Sequence, residues 1–367
     1  MNVTLIYGGK TGEHEISLVS ASSVARNIKA KHKITLIGIA KNGTWFLQPE
    51  TELERIRKDK DAVFSLVESE NIVSVIPGGS TKQGLLNIAS KKFLPTDIVF
   101  PVLHGTFGED GTIQGLLEMA ELPYVGCGVM ASSLTMDKEK TKEVWKMHKL
   151  PVVPYVTAKK YELNNDAKIA KFIEKVEKKF GYPVFIKPCC AGSSVGANKA
   201  STKEEFVKAL SEAFLWDEKI LIEQFIPARE IECSVIGNAK IKTFSPGELE
   251  ATHDFYDYDA KYNDPNGATL RIPANLTEQQ AKTIQKMAKK AYAALDAAGF
   301  SRIDFFLDKN TGKIYLNEIN TIPGFTSISM FPKMCENGGL LYPELLEKVL
   351  KMGIERFTER RKLQTTR

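Results

Sequence analysis

Apolar and polar positions alternate in blocks along the first third of the chain. Short β-rich runs, "VTLIY" (3–7), "ITLIGIA" (34–40) and "DIVFPVL" (97–103), are separated by stretches of helical periodicity over 15–29 and 112–120. Strands alternating with helices are the pattern of a parallel sheet covered by helices, an α/β fold. The loops "GGKTGEHE" and "HGTFGEDG" follow the first and third strands. They therefore lie at carboxyl ends, where open α/β sheets bind ligands.

A second unit starts near Ser132. It reads as a helix through "DKEKTKEVWKMH", the turn "LPVVPY", an amphipathic helix over 166–179, the strand "PVFIKP" and the Gly/Ser loop "CCAGSSVG". Ser201 with Glu204 has capping-box spacing for a helix reaching residue 213. The last unit opens with the strands "ILIEQF" (220–225) and "EIECSVIG" (230–237). The polar, aromatic, turn-rich stretch "GELEATHDFYDYDAKYNDPNGA" then reads as a lid. Thr277 with Gln280 caps a helix expected to stop at Gly299, ahead of the strands "SRIDFFLD" and "KIYLNEIN". The expected division is 1–131, 132–216 and 217–367, with the lid at 248–268 and a basic tail.

The last two strands carry the sharpest chemistry. If they form a hairpin around "KNTG", pairing Asp308 with Ile314 sets Asp304 opposite Glu318 and Arg302 opposite Asn320. Alternation then puts these four on one face and Ile303, Phe305 and Ile319 on the other. Carboxylates roughly 5 Å apart repel unless one is protonated or a cation lies between them. Oxygens from Asp, Glu and Asn suit hard Mg²⁺, which also bridges to phosphates; a solvated polar face is the alternative reading. Lys187, held extended by the proline after it, and Lys138 are natural cationic complements. "AGSSVG" offers backbone N–H groups and two hydroxyls to a phosphate, although it has neither P-loop nor G-x-G-x-x-G spacing, and a bland surface turn fits it equally well.

Composition narrows the classes. At 367 residues, 43% hydrophobic and 26% charged, the chain has room for two or three domains. Its net charge of +5 is spread over 50 basic and 45 acidic residues, which makes no case for a nucleic-acid partner. The densest basic run, "ERFTERRKLQTTR" (355–367), reads as a solvated tail. Cysteines 127, 189, 190, 233 and 335 are odd in number with no CxxC or zinc-like spacing, and read as free thiols. "MNVTLIYGGK" has no signal-peptide pattern and no run reaches membrane-helix length, so a cytoplasmic protein without a membrane partner is expected.

Together these motifs resemble the D-alanine:D-alanine ligases of the ATP-grasp superfamily, from Gly8 to about Leu350. "HGTFGEDGTIQG" and "GFSRIDFFLDKNTGKIYLNEINTIPGFTS" are the most specific stretches, with "GGKTGEHEISLVS", "MDK", "LIEQFI" and "FYDYDAKY" in the family's order. The resemblance implies a three-domain architecture with ATP between the central and C-terminal domains. It also implies two D-alanines joined through an acyl phosphate, for peptidoglycan precursors, and a homodimer.

By resemblance, Asp304, Glu318 and Asn320 hold two Mg²⁺ ions, with Mn²⁺ as an alternative. Lys138, Lys187, Ser194 and the lid's Lys261 meet ATP phosphates; Glu223 with the backbone of Phe225 and Ile226 meets adenine, and Glu230 the ribose. Arg302 neutralises the developing oxyanion. Glu13 pairs with the first substrate's ammonium near His104, Ser329 with Gly324 orients the second substrate's carboxylate, and Glu13, Ser193 and Tyr262 form a hydrogen-bonded link. The "YDAKY" lid resembles enzymes that use D-alanine rather than D-lactate. Cys189 and Cys190 depart from the family's usual small or polar residues, often Asn or Arg, which makes Cys190 a candidate for alkylation. Alternatives are an ATP-grasp ligase of another carboxylate and amine, or a nucleotide-binding protein without turnover.

Overall fold

The computed structural model describes residues 1–78, 84–251 and 268–364. Its first part runs β1 (Asn2–Gly8), α1 (His14–Asn27), β2 (Lys33–Ile39), β3 (Trp45–Leu47), α2 (Glu50–Lys58), β4 (Val73–Ile76), β5 (Gly84–Asn87), β6 (Lys92–Phe93), β7 (Ile98–Val102), α3 (Thr112–Met119) and α4 (Val129–Met136). The three strands read from apolar runs form the heart of a sheet ordered β3-β2-β1-β7, with β1 parallel to both β2 and β7. The short strands β4 to β6 make a small antiparallel sheet beside it.

Next come α5 (Lys138–Met147), β8 (Tyr155–Lys159), α6 (Asp166–Phe180), β9 (Val184–Pro188), β10 (Asn198–Ala200), α7 (Lys203–Ala213) and β11 (Lys219–Gln224). The sheet is antiparallel, in the order β10-β9-β11-β8. Thus β11, expected to open the last unit, belongs to the central sheet, because Leu221 and Ile222 pair with β9 on one side and β8 on the other. The cap of α7 also differs by one residue. Thr202 accepts the Glu205 N–H, and Glu205 reaches back to the Ser201 N–H.

The last sheet contains β12 (Ala228–Ile236), β13 (Lys242–Thr243), β14 (Gly247–Ala251), β15 (Ala268–Arg271), β16 (Phe300–Asp308) and β17 (Ile314–Asn320), with α8 (Glu278–Ala294) packed against it. Both legs of the Thr277–Gln280 capping box are present. The helix stops at Ala294, short of the expected Gly299, because Asp296 already takes a left-handed backbone at φ 50°. The start of the expected lid is strand: β14 pairs with β15, and buried Glu248 receives two hydrogen bonds from Arg229, at 2.6 and 2.7 Å. Lys261, Tyr262 and the rest of the lid between those strands lie outside the described residues.

The chain finishes with α9 (Met330–Asn337) and α10 (Tyr342–Arg360). The first six residues of the expected basic tail, 355–360, are helix. Leu345, Leu346, Val349 and Leu350 share one core with Val3, Leu5 and Tyr7 of β1. Gly353 lets α10 come so near that a Cβ there would stand 2.7 Å from the Tyr124 carbonyl oxygen. Arg356 then lies over the Tyr124 ring at 4.1 Å, and Arg360 reaches Glu118 at 2.7 Å. Aliphatic periodicity buries the first turns, and cation–π and ion-pair contacts fix the last ones.

Candidate active site

One cleft of about 680 Å³ is lined by loops of the first sheet, the Gly/Ser loop, and the inner face of the last sheet. Its floor is the β16–β17 hairpin. Arg302 pairs with Asn320 and Asp304 with Glu318, as alternation predicts, while Ile303 and Phe305 point into the core behind. The turn end differs: Leu307, not Asp308, faces Ile314. A β-bulge after Asp304 absorbs the offset and leaves Asn317 as the extra residue.

On this floor Arg302 donates from Nε and Nη2 to the two oxygens of Asp304, both at 2.7 Å, and Nε lies 3.0 Å from Glu232. Asn320 Nδ2 donates to Asp304 at 2.9 Å. Burial opposes the guanidinium's charge, but Asp304 and Glu232 outweigh it and hold its pKa well above the ordinary value. Among the described residues no three His, Cys, Asp or Glu side chains form a metal cluster. The donor set here is two carboxylates and an amide on one face, which fits a hard divalent ion completed by phosphate and water oxygens.

Lysines stand at one end. Lys138 Nζ donates to the Ala191 carbonyl at 2.6 Å and lies 3.7 Å from Glu318. Lys187 Nζ lies 2.7 Å from Glu223 and 3.1 Å from Asn317 Oδ1. Burial opposes charge on Lys187, yet Glu223 and Glu318 raise its pKa. Glu223 itself lies beneath the cleft wall, its carboxylate engaged by Lys187 and Lys142 rather than turned toward an adenine. Phe225 and Ile226 follow β11 outside the lining, and the Phe225 N–H reaches the Pro183 carbonyl at 3.4 Å. Glu230 does line the cleft.

At the other end, Ser193 Oγ donates to Glu13, the residue preceding α1. Glu13 packs between Gly105 and Gly192, where added Cβ atoms would stand 2.4 and 2.7 Å from its Oε2. Ser193 and Ser194 both adopt left-handed backbone, at φ 49° and 59°. Strain of this kind costs on the order of 1 kcal/mol per residue and concentrates at functional loops. His104 is nearly buried; its Nδ1 donates to the Ile322 carbonyl at 2.8 Å and its Nε2 lies 3.0 Å from Ser20 Oγ. Ser329 precedes α9, with Gly324 against it, and its Oγ binds the Thr326 N–H at 3.1 Å.

Two halves of the sequence confirm what this geometry suggests: residues 2–127 match the family model "D-ala D-ala ligase N-terminus" and residues 144–351 match "D-ala D-ala ligase C-terminus". The chain belongs to the D-alanine–D-alanine ligase family. A Treponema denticola D-alanine–D-alanine ligase is 57% identical over the whole of both chains. One from Caldicellulosiruptor bescii is 43% identical, with 99% of this chain and 98% of that one covered. The solved D-alanine–D-alanine ligase of Coxiella burnetii has a TM-score of 0.83 at 34% identity, covering 99% of this chain and 96% of that one. VanG D-Ala:D-Ser ligase from Enterococcus faecalis gives 0.82 at 34%, covering 96% and 100%. The fold is thus that of the ATP-grasp ligases.

Four residues in or beneath this cleft escape sequence reasoning. Glu232 is the second carboxylate on Arg302. Asn317 is visible only through the bulge. Lys142 stands one helical turn beyond Lys138, an i,i+4 spacing that could have flagged it. Glu109 lies inside the quoted "HGTFGEDG"; it accepts the Gly105 N–H at 3.0 Å and the Ile322 N–H at 2.7 Å, stitching the first sheet's loop to the segment after β17. Burial and the nearby Glu13 raise its pKa to about 7. Cys190 is partly buried, and burial with Asp217 and Asp137 nearby pushes its thiol up to about 12, the opposite of a reactive thiolate.

Proposed function

We infer that this ligase joins two D-alanines into D-alanyl-D-alanine for peptidoglycan, using one ATP. The observation that carries this is the convergence, in one cleft, of the Arg302–Asp304–Glu318–Asn320 face with Lys138 and Lys187 at one end and the Glu13–Ser193 pair at the other.

In this reading Glu13 holds the first substrate's ammonium, with His104 shaping the pocket beside it. Lys138, Lys187 and Ser194 hold the phosphates, joined by Lys261 from the lid. The first carboxylate takes the γ-phosphoryl group and ADP departs, which gives the carbonyl carbon a leaving group. The second D-alanine, placed by its carboxylate against Ser329, Gly324 and the start of α9, loses a proton and attacks through its amine. Arg302 neutralises the carbonyl oxygen as it becomes an oxyanion, and inorganic phosphate leaves. Asp304, Glu318 and Asn320 would hold the divalent ions, taken as two Mg²⁺ with Mn²⁺ as an alternative, whose charge offsets that of the phosphates. The Phe225–Ile226 backbone takes adenine and Glu230 the ribose, while Glu223 acts through its lysines. Ser193 and Tyr262 tie the loop and lid to Glu13.

We also propose a cytoplasmic homodimer, supported by exposed Met119 and Met130 on α3 and α4; among the described residues no helix is long and apolar enough to cross a membrane. The working division is 1–131, 132–216 and 217–367, with β11 moved to the central part. The test is phosphate release from ATP with D-alanine, L-alanine, D-serine or D-lactate at pH 7, with product masses read in the same tubes. D-Alanine alone should give both phosphate and a dipeptide; faster product formation with another amino or hydroxy acid overturns the assignment.

A further inference from the structure

Beneath the phosphate end of the cleft lies a network of three charged side chains, of which only Lys187 lines the cleft. Glu223 on β11 is 2% exposed, and each of its oxygens lies 2.7 Å from an ammonium group: Oε1 from Lys142 on α5, Oε2 from Lys187 on β9. Lys187 is held from a second side by Asn317, the extra residue of the bulge. The Lys142 side chain is fully buried, and its contact with Glu223 is an ion pair rather than an aligned hydrogen bond. Lys187 lines the cleft; Lys142 and Glu223 do not.

Two cations on one carboxylate leave a single positive charge in excess. Glu223 alone would satisfy Lys187, but the pair would then be neutral and present little field to an anion. A fully buried ammonium is costly to hold away from water, so its presence calls for a role that packing does not supply. Burial lowers the Lys142 pKa, while Glu223, despite its own burial, is kept ionised by the two lysines.

We propose that Lys142 is a positioning residue for nucleotide binding. It neutralises Glu223, so that Glu223 and Asn317 can fix Lys187 in place without cancelling the charge Lys187 presents to a phosphate. This rests on the reading of Lys187 as a phosphate ligand.

The test is Lys142→Met, which keeps length and removes charge, with ATP affinity measured calorimetrically on the full chain and adenosine as the phosphate-free control. ATP binding should weaken about ten-fold or more, with adenosine binding unchanged. Adding Glu223→Gln to the same chain should return most of the lost ATP affinity, because Glu223 then no longer cancels Lys187, while a Gln amide can still hold it. A packing role predicts the reverse, a double variant no better than the single one. That result, or wild-type ATP affinity in Lys142→Met, overturns the proposal. If Lys142→Met does not fold, Lys142→Gln replaces it in the single and double variants, with the same expected and overturning outcomes. Lys187→Met separates the underlying reading. Wild-type ATP affinity there removes Lys187 from the phosphates altogether, whereas loss there beside no change in Lys142→Met refutes only the role of Lys142.

Discussion

Replacing Arg302 with lysine tests the chemical assignment while leaving the charge in place. Removing the charge outright would strand Asp304 and Glu232, both largely buried, and confound catalysis with folding. In the native cleft the described contacts engage Nε and Nη2, which leaves Nη1 as the edge available to a developing oxyanion. A lysine ammonium drawn onto the same two carboxylates has no second edge to offer. The loss is about one charge-assisted hydrogen bond in the transition state, roughly 1.5–3 kcal/mol, or a fall in kcat of about ten- to a hundred-fold. KM for ATP should move far less, since Lys138 and Lys187 are untouched. Steady-state phosphate release with saturating D-alanine, alongside a thermal melt, gives both numbers. A kcat within two-fold of wild type refutes the oxyanion role, and a drop in Tm with unchanged kcat makes Arg302 a purely structural counter-ion.

Glu109 gives a pH signature. Its pKa is raised to about 7 in the folded chain, chiefly by burial and then by Glu13, so the native state binds the proton more tightly than the unfolded one. Its contribution to stability is therefore greatest at low pH and falls as the pH rises from about 4.5 to 7, by about 3 kcal/mol; urea unfolding of wild type and Glu109→Gln should differ in slope over that window and run parallel above pH 8. Arg356→Ala should lose about 1–3 kcal/mol, through the Tyr124 ring contact and the packed stem, in the same urea assay. Native protein treated with a thiol alkylator at pH 8 should leave Cys190 unlabelled by mass, and label it once unfolded; rapid native labelling would contradict its raised pKa.

Where one residue pattern had one physical solution, the sequence was enough. Arg302, Asp304, Glu318 and Asn320 alternate strictly, so any antiparallel pairing that buried Ile303 and Phe305 had to turn them to the cleft. The turn end had two solutions, and the bulge at Asn317 chose the one that alternation does not show. At α7 two overlapping capping pairs, Ser201–Glu204 and Thr202–Glu205, compete within one residue. The membership of β11 was hidden because its pairing partners are long-range, and a strand read alone says nothing of its neighbours. The tail misled through its charge: Arg356 and Arg360 are basic, yet each is anchored on the first part of the chain. Lys142 looked like any surface lysine until its burial was known.

The docking of α10 onto β1 and its neighbours has a consequence for the order of synthesis. Strand β1 leaves the ribosome well before Leu345 to Leu350, whose side chains share its core. Until they emerge, one face of the first sheet stays wet and apolar, open to chaperones and proteases. Truncation before residue 342 should therefore damage the sheet built on β1, although that sheet lies far from the cut in sequence.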